Sequence, residues 1–230
     1  MALGPPALSW SQPPERLELS PSEMHVWAAD QDAPERDFAT LAATLSEDER
    51  SRATRFRFER DQRRYVVRRG LLRAILARYL AVPAAEVPFV YGPKGKPAVA
   101  LGLPGPRVDF NLSDCGALVV YAVTCGRQVG IDVERIRVLP DADDVAERFF
   151  AVAEREVLRR LPPDQRPTAF FTCWTRKESY IKAIGDGLSC PLDRFEVTLA
   201  PGAAPALVRI GDDRQAAARW TVWELQPAEG

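Results

Sequence analysis

The most informative stretch of this 230-residue chain is TAFFTCWTRKESYIKAIGDGL, residues 168–188. Its apolar residues recur at the spacing of one helix face: Phe170, Phe171, Trp174 and Ile181. The pattern predicts a helix from Thr168 to Ile184 that ends at Gly185. Glu178 falls inside the apolar stripe, and Lys182 lies at its edge one turn further on.

A carboxylate among aromatic side chains is costly unless it pairs with a cation or binds a metal. An ordinary pair between Glu178 and Lys182, worth a few tenths of a kcal/mol, would explain their spacing but not their place on the apolar face. The location therefore favours a functional role for Glu178.

A second pair of carboxylates occurs upstream, in Gly130-Ile131-Asp132-Val133-Glu134. The alternation predicts a strand from Gln128 to Glu134, with Asp132 and Glu134 on one face. Two carboxylates side by side suit a hard divalent cation. Taken alone, the same pattern is also typical of a half-exposed strand with a solvated acidic face.

Three further features are compatible with a phosphate ligand. An arginine-dense stretch comprises Arg50, Arg52, Arg55, Arg57, Arg60, Arg63, Arg64, Arg68, Arg69 and Arg73. A glycine and a lysine adjoin in Gly95-Lys96-Pro97, and a hydroxyl ends the predicted strand Phe110-Asn111-Leu112-Ser113. Each has an ordinary interpretation: a solvated face, a turn and a strand end. Together with the carboxylates, they fit a metal and a polyphosphate, the usual equipment of phosphoryl transfer.

Composition excludes several classes of function. The 31 basic and 32 acidic residues balance, so no global field attracts nucleic acid or an anionic membrane. The four cysteines form no C-x-x-C pair and His25 is the only histidine, which argues against a zinc site and a Ser-His-Asp triad. No apolar run reaches the ~18 residues of a membrane span. Residues 1–14 are rich in proline and do not resemble a signal peptide, so we expect a loose arm and a cytoplasmic protein.

The order of predicted elements indicates an α+β fold, because it lacks regular β-α alternation. Strands are predicted at Met24–Ala28, at both ends of Val87–Leu103, and at Val108–Leu112, Leu118–Val123, Gln128–Glu134, Phe195–Leu199, Ala206–Ile210 and Arg219–Leu225. Helices are predicted within Ser46–Leu80 and at Asp143–Phe150, Ala153–Leu161 and Thr168–Ile184. A boundary within Ser113–Ala117 divides the chain into residues 1–115 and 116–230.

The motifs resemble, in order and spacing, those of the Sfp-type 4′-phosphopantetheinyl transferases. They are Asn111-Leu112-Ser113, Gly130-Ile131-Asp132-Val133-Glu134 and Trp174-x-x-Lys177-Glu178-x-x-x-Lys182-Ala183-x-Gly185-x-Gly187-Leu188. The resemblance covers roughly Ser46 to Val197. It implies two similar α+β halves related by pseudo-twofold symmetry, with the active site between them. It also implies transfer of phosphopantetheine from coenzyme A to a serine of an apo acyl or peptidyl carrier protein, with release of adenosine 3′,5′-bisphosphate.

Site residues follow from the resemblance by position. Asp132, Glu134 and Glu178 would hold Mg²⁺, Glu178 would also be the base that activates the carrier serine, and Lys182 would stabilise charge on the pyrophosphate. The N-terminal half would supply the coenzyme A contacts: Arg64, Gly95, Lys96, Pro97, Ser113 and Asp114. Lys177 and Lys182 would add phosphate contacts from the C-terminal half, and Glu154 matches a family glutamate near the metal.

Two departures from the family pattern stand out. The family usually has His and Ser where this chain has Asp114 and Cys115, and an ionised aspartate repels the phosphate that the histidine would contact. A final apolar strand, usual in the family after a stretch like Trp220–Leu225, has no counterpart before Gly230.

Two other functions remain open on the residues alone. A Mg²⁺-dependent nuclease or phosphohydrolase would use the same carboxylates without coenzyme A. A nucleic-acid-binding module would use the arginines and lose affinity steeply with salt. The sequence does not name the carrier, since fatty-acid, polyketide and nonribosomal peptide synthesis all use one, but it favours a broad-specificity, secondary-metabolism type. We expect a monomer that binds neither nucleic acid nor membrane.

Overall fold

Helices and strands occur in both halves of the computed structural model, which describes residues 10–15, 17–32, 34–103 and 107–228. The strands are β1 Met24–Asp30, β2 Phe89–Tyr91, β3 Pro97–Val99, β4 Val108–Cys115, β5 Leu118–Cys125, β6 Phe195–Val197 and β7 Leu207–Ile210. The α-helices are α1 Glu35–Ala43, α2 Glu47–Ala53, α3 Glu59–Leu80, α4 Ala142–Phe149, α5 Val152–Arg160, α6 Arg166–Ile184 and α7 Arg214–Ala217. The predicted α+β class is confirmed.

Residues Pro13–Ile131 form one compact unit around an antiparallel sheet of order β1-β5-β4. Strand β5 is central and almost entirely buried, as the unbroken apolar run Leu118–Val123 leads one to expect. Helix α3 contributes the predicted apolar face to the same core. The residues of this predicted face are all buried or partly buried: Leu71, Leu72, Ile75, Leu76, Tyr79 and Leu80.

Helix α2 begins at a capping box, as its acidic start predicts. The Ser46 hydroxyl accepts a hydrogen bond from the Glu49 N–H, and the Glu49 carboxylate accepts one from the Ser46 N–H. A short break separates α2 from α3, which ends at Ala81 in the left-handed conformation, with φ of 52°.

The second unit consists of Trp10–Gln12 together with the residues from Asp132 onward. Helices α4, α5 and α6 and the two-stranded sheet β6-β7 enclose its core. Helix α6 starts with Pro167 in its first turn and ends at Gly185, whose φ of 82° is the left-handed conformation that favours glycine. The helix predicted from residues 168–184 is thus confirmed.

Two predicted strands are wrong. Gln128–Glu134 and Arg219–Leu225 form no strand among the described residues. In the first of them, the Ile131 N–H bonds to the Asn111 side-chain oxygen at 2.9 Å, so a side chain rather than a strand ladder holds this backbone. Helices α1 and α7 were not predicted.

The division between the compact units falls between Ile131 and Asp132, whereas the boundary expected from the sequence lies between residues 115 and 116. That expected boundary falls in the turn of the β4–β5 hairpin. The assignment of coenzyme A contacts and catalytic residues to the two halves, and their pseudo-twofold relation, stay predictions. No helix within the described residues is long and apolar enough to cross a membrane; the expected N-terminal arm, for residues 1–9, lies outside the described part of the chain.

Candidate active site

Helix α6 places Glu178 among charged groups in the unit that begins at Asp132. Burial raises the pKa of the Glu178 carboxyl, and the Asp132 and Glu134 carboxylates raise it further, against the opposing charge of Lys182. Lys182 donates from Nζ to Asp132 Oδ1 at 2.6 Å. Four of the predicted site residues therefore influence one another.

The backbone just before the carboxylate pair is held by side chains of the unit Pro13–Ile131. The Asn111 side chain holds the backbone at Ile131, and Lys96 Nζ donates to the Val129 carbonyl at 3.3 Å. Asp132 follows directly and its side chain is 7% exposed. The Glu134 side chain is 29% exposed and lies 3.5 Å from Arg137, measured between Oε2 and Nη1. Asp132 and Glu134 therefore have different surroundings, although they are only two residues apart.

The donor chemistry of this cluster fits a hard dication. Carboxylates that raise the pKa of a neighbour repel one another, and a bound Mg²⁺ would relieve that repulsion with the oxygen ligands it prefers. Across residues 10–15, 17–32, 34–103 and 107–228, however, no three His, Cys, Asp or Glu side chains are already gathered as a metal site. The predicted ligands Asp132, Glu134 and Glu178 thus have the oxygen atoms that Mg²⁺ prefers, and binding of the metal would require these side chains to move closer together.

Lys177, predicted to contact phosphate, is placed elsewhere. Its side chain is fully buried, with Nζ 2.8 Å from Glu154 Oε2 and donating to the carbonyls of Leu192 and Phe195 at 2.7 Å each. All three N–H donors are thereby used inside the core. Lys177 Nζ therefore has no N–H left to donate to a phosphate in this structure, and Glu154 is its buried partner.

Arg64, a predicted coenzyme A contact, lies on α3 of the unit Pro13–Ile131 and forms a bidentate ion pair with Asp32. Its Nε and Nη2 donate to the two Asp32 oxygens at 2.7 Å each. The hydrogen bonds from Arg64 lower the pKa of the Asp32 carboxyl. Arg64 is therefore held in one orientation with its side chain 20% exposed, and its contact with coenzyme A stays a prediction.

Asp114, in β4, is also held by an arginine of α3, one helical turn beyond Arg64. It forms an ion pair with Arg68, and its Oδ2 accepts a hydrogen bond from Gln31 Nε2 at 3.0 Å. The Gln31 side chain is buried and also donates to the Gly116 carbonyl at 2.8 Å. An arginine thus neutralises the charge that the sequence pattern marked as unfavourable for a phosphate.

The remaining predicted contacts lie around the β2–β3 turn and the end of β4. Gly95 has φ of 82°, which favours glycine at this turn, and Pro97 opens β3. Lys96 is partly buried, and burial lowers the pKa of its amine. Ser113 is buried within β4. The role of these four residues in binding coenzyme A remains a prediction.

A pocket of about 620 Å³ in the same unit combines cations with aromatic rings. Its lining residues are Asp48, Glu49, Ser51, Arg52, Arg55, Phe56, Tyr65 and Tyr91. Beneath it the buried Glu49 pairs with Arg69 and, at 2.6 Å, with Arg73. Arg69 also donates to the Tyr91 hydroxyl at 2.7 Å.

The arginine stretch therefore divides by burial. Arg69 and Arg73 support the wall of the pocket, while Arg52 and Arg55 face it. Four residues that line the pocket or contact Arg64 or Asp114 were not predicted as site residues: Glu49, Asp32, Gln31 and Arg68. Of these, Glu49 carried a signal, since its place at the third position of a capping box predicts a carboxylate turned back toward the helix start.

Two family models match the chain. Residues 128–228 match the 4′-phosphopantetheinyl transferase superfamily, and residues 29–126 match the 4′-phosphopantetheinyl transferase N-terminal family. The matches meet within a few residues of the division between the compact units, so each unit corresponds to one model.

Three relatives illustrate the similarity. The 4′-phosphopantetheinyl transferase HetI of Nostoc sp. is 41% identical over 219 residues, 95% of this chain and 89% of the relative. The 4′-phosphopantetheinyl transferase Sfp of Bacillus subtilis is 32% identical over 155 residues, 67% of this chain and 66% of the relative. The human L-aminoadipate-semialdehyde dehydrogenase-phosphopantetheinyl transferase is 32% identical over 166 residues, 69% of this chain and 54% of the relative.

Proposed function

We propose, from the premise that this chain belongs to the 4′-phosphopantetheinyl transferase superfamily and transfers phosphopantetheine to carrier proteins, that Glu178 is its general base. Coenzyme A is the donor, Mg²⁺ the metal and a serine of an apo acyl or peptidyl carrier protein the acceptor. The observation that carries this proposal is the cluster around Glu178, where burial and two neighbouring carboxylates raise the pKa of one glutamate.

In the metal-free cluster the raised pKa makes Glu178 a better proton acceptor than an ordinary carboxylate, a shift that enzymes use in acid–base catalysis. Mg²⁺ at the same carboxylates would lower that pKa, so Glu178 would act as base through its position beside the metal ligands Asp132 and Glu134. The proposed step forms a bond between the carrier serine Oγ and the phosphorus next to the pantetheine arm. The bond from that phosphorus to the bridging oxygen breaks, and adenosine 3′,5′-bisphosphate leaves with the electron pair. Glu178 accepts the serine proton, and the Lys182 ammonium offsets negative charge on the leaving phosphate.

Asp132, Glu134 and Glu178 would hold the metal, since oxygen ligands of this charge suit Mg²⁺. When bound there, Mg²⁺ supplies charge neutralisation for the pyrophosphate oxygens. Lys182 already lies 2.6 Å from Asp132 Oδ1, so the chain's own ammonium and the metal's ligands belong to one cluster. The roles of Asp132, Glu134, Glu178 and Lys182 in this proposal are those that the family resemblance implies.

Residues of the unit Pro13–Ile131 would bind the nucleotide end of coenzyme A. The pocket beside Arg52 and Arg55 offers guanidinium groups for phosphate, and the exposed ring of Tyr91 offers a face for a stacked base. Six contacts carried over from the resemblance are kept in this proposal: Arg64, Gly95, Lys96, Pro97, Ser113 and Asp114. Lys177 is left out, because its amine is committed to Glu154 and two carbonyls.

We also propose that the chain is of the Sfp type and acts on carriers of secondary metabolism. Its support is the motif order around Asp132 and Glu178, together with the 32% identity to Sfp of Bacillus subtilis. The monomeric state and the cytoplasmic location stay sequence-based predictions.

The proposal is tested by incubating the protein with coenzyme A and a set of apo carriers, with Mg²⁺ or with EDTA. Intact-mass spectrometry should show one phosphopantetheine added to a carrier, only when Mg²⁺ is present. Replacing the carrier serine by alanine is the matched control. Breakdown of coenzyme A without a mass gain on any carrier would instead support a phosphohydrolase.

A further inference from the structure

Two adjacent residues of α6, Lys177 and Glu178, have opposite surroundings. Glu178 is half-buried beside Asp132, Glu134 and Lys182, whereas Lys177 is fully buried in the core of the same unit. On a helix, neighbours differ in direction by about 100°, so an anchor at residue 177 fixes the direction in which residue 178 points.

The anchor at Lys177 is complete. Its Nζ contacts Glu154 Oε2 at 2.8 Å and donates to the Leu192 and Phe195 carbonyls at 2.7 Å each. The ammonium also lies 4.4 Å from the centroid of the Phe195 ring. These contacts join α6 to the segment that leads into β6.

Glu154 completes the arrangement from the other side. Its Oε1 accepts a hydrogen bond from the Val197 N–H and its Oε2 accepts one from the Ala151 N–H, each at 2.7 Å. The carboxylate is 2% exposed. The start of α5, the strand β6 and the middle of α6 are therefore connected through one buried ion pair.

Stability alone gives a weak reason for such a pair. Two buried charges lose their hydration, and well-packed apolar residues of similar volume often replace them without loss of stability. An ion pair with several directed hydrogen bonds also restricts the helix to one rotation about its axis and one position along that axis. A shift of α6 by one residue would rotate Glu178 by about 100° and move it by about 1.5 Å.

We infer that Glu154 and Lys177 are positioning residues for Glu178: the buried pair sets the rotation of α6 that places the proposed base and metal ligand beside Asp132 and Lys182. The inference rests on the proposed function. It differs from a phosphate contact by Lys177, because it assigns the same role to Glu154, which cannot donate to phosphate while ionised.

The test compares wild type with Lys177→Met, Glu154→Gln and the double variant. Glu154→Gln is isosteric and keeps an oxygen for the Val197 N–H, so it is the milder variant if Lys177→Met does not fold. Leu158→Ala is the matched control, because Leu158 is a buried apolar residue of α5 in the same core, and its loss costs stability while every hydrogen bond of the pair keeps both partners. Each protein is assayed below its unfolding temperature.

Three quantities are measured: kcat for carrier modification, the Kd of coenzyme A from thermal protection, and the Kd of Mg²⁺ by calorimetry without substrate. We expect kcat to fall about 10- to 100-fold in both single variants, because small misplacements of catalytic groups have effects of this size. Mg²⁺ affinity should fall about tenfold or more, as is typical when a residue that orients a ligand is lost. Coenzyme A affinity, measured in EDTA so that the weaker metal binding does not enter, should stay within about twofold of wild type, since the pair lies away from bulk solvent and donates to no phosphate.

Two results would overturn the inference while leaving the proposed function intact. One is a loss of coenzyme A affinity in Lys177→Met that Glu154→Gln does not share, which would make Lys177 a phosphate contact. The other is a set of folded variants whose kcat and Mg²⁺ affinity match those of Leu158→Ala, which would make the pair merely structural. Wild-type protein that modifies no carrier would overturn the proposed function itself, and the inference with it.

Discussion

Helix α6 carries two glutamate–lysine clusters that are alike in composition and opposite in accessibility. In the first, Lys177 and Glu154 are buried, and every donor of the lysine is used within the core. In the second, Lys182 is 28% exposed beside Asp132, and burial together with neighbouring carboxylates raises the pKa of Glu178.

The difference shows how the surroundings decide the use of a charge. A fully satisfied buried pair has nothing left to offer a ligand, so its contribution is geometric. A cluster of repelling carboxylates near the surface is held in a state that a cation or a proton would stabilise, which is typical of functional sites. Substitutions in each cluster should separate these two roles, beginning with the largest effect.

Glu178→Gln should lower kcat by about 10²- to 10⁴-fold, since a positioned general base contributes an acceleration of this size. Asp132→Ala should likewise abolish transfer at ordinary Mg²⁺ concentration and leave the protein folded. The measurement is carrier modification followed by mass spectrometry. The control is Glu156→Gln, because Glu156 is an exposed glutamate of α5 that pairs with Arg160 at 3.6 Å. Near-normal turnover by folded Asp132→Ala or Glu178→Gln would remove that residue from the site.

The buried cluster should dominate stability instead. Lys177→Met leaves the Glu154 carboxylate buried without its cation, and breaking a buried pair in this way costs about 3–5 kcal/mol. Lys182→Met removes an ammonium that is 28% exposed from a carboxylate that is 7% exposed, so its loss of stability should be smaller than that of Lys177→Met. Urea unfolding curves without metal measure both. Equal losses in the two variants would contradict the contrast between a closed and an open cluster.

The sequence drew attention to the second cluster, because the stripe of aromatic residues made Glu178 conspicuous. The ion pair that Lys182 forms with Asp132 was not among its predictions. The phosphate contact expected of Lys177 came from the family resemblance alone. Its spacing held a signal that was not used: Lys177 lies four residues after Cys173 and four before Ile181, and both of these are fully buried.

Other features could not be obtained from periodicity. Alternation in Gln128–Glu134 is typical of a strand, but a ladder needs a partner strand, and the Asn111 side chain takes that place at Ile131. The partners Asp32 of Arg64 and Gln31 of Asp114 lie far away in sequence, so only the fold brings them together. Helix α3 and the end of α6 at Gly185 were predictable because each depends on local pattern alone.

Coenzyme A should protect the protein against thermal unfolding, since a ligand that binds only the folded state stabilises it. Arg64→Ala should weaken this protection by about 1.5–3 kcal/mol of binding free energy, the usual worth of a hydrogen bond to a charged group. Arg57→Ala is the control and should change it little, because Arg57 is exposed and lies over the Phe58 ring. Equal effects of the two substitutions would mean that the arginines act as a diffuse basic surface.

The raised pKa of Glu178 makes a prediction about pH. A carboxyl group whose pKa is higher in the folded than in the unfolded state favours folding while it is protonated. That advantage is complete below the unfolded pKa of about 4.5 and is lost as pH rises through the higher pKa of the folded protein. Glu178→Gln lacks this titration, so without metal its stability relative to wild type should increase as pH rises above about 4.5.

Urea unfolding in EDTA at several pH values measures that difference. Adding Mg²⁺ should then stabilise wild type more than Glu178→Gln, since only the carboxylate is a strong ligand. A stability difference that does not change with pH would show that Glu178 titrates normally in the folded protein. It would also remove the electrostatic distinction between the two clusters of α6.

Asp114→His should have the smallest effect. From the sequence alone, restoring the residue usual in the family predicts a gain of roughly tenfold in kcat/KM for coenzyme A, the worth of one hydrogen bond to a charged group. The structure reduces that expectation, because Arg68 already neutralises Asp114, and Gln31 holds its second oxygen. The substitution would add a donor but also release Arg68 from its carboxylate and leave the buried Gln31 amide with one acceptor fewer.

We therefore expect a gain in kcat/KM of less than about tenfold, together with a loss of stability of about 1 kcal/mol from the broken contacts. Asp114→Asn is the matched variant, since it removes the charge and keeps an oxygen for Gln31. If both variants lose kcat/KM, the hold of Asp114 on Arg68 is itself needed for coenzyme A, and the idea of a missing donor is wrong. If Asp114→His gains and Asp114→Asn does not, the added donor is the cause, and the charge of Asp114 has little influence on the phosphates.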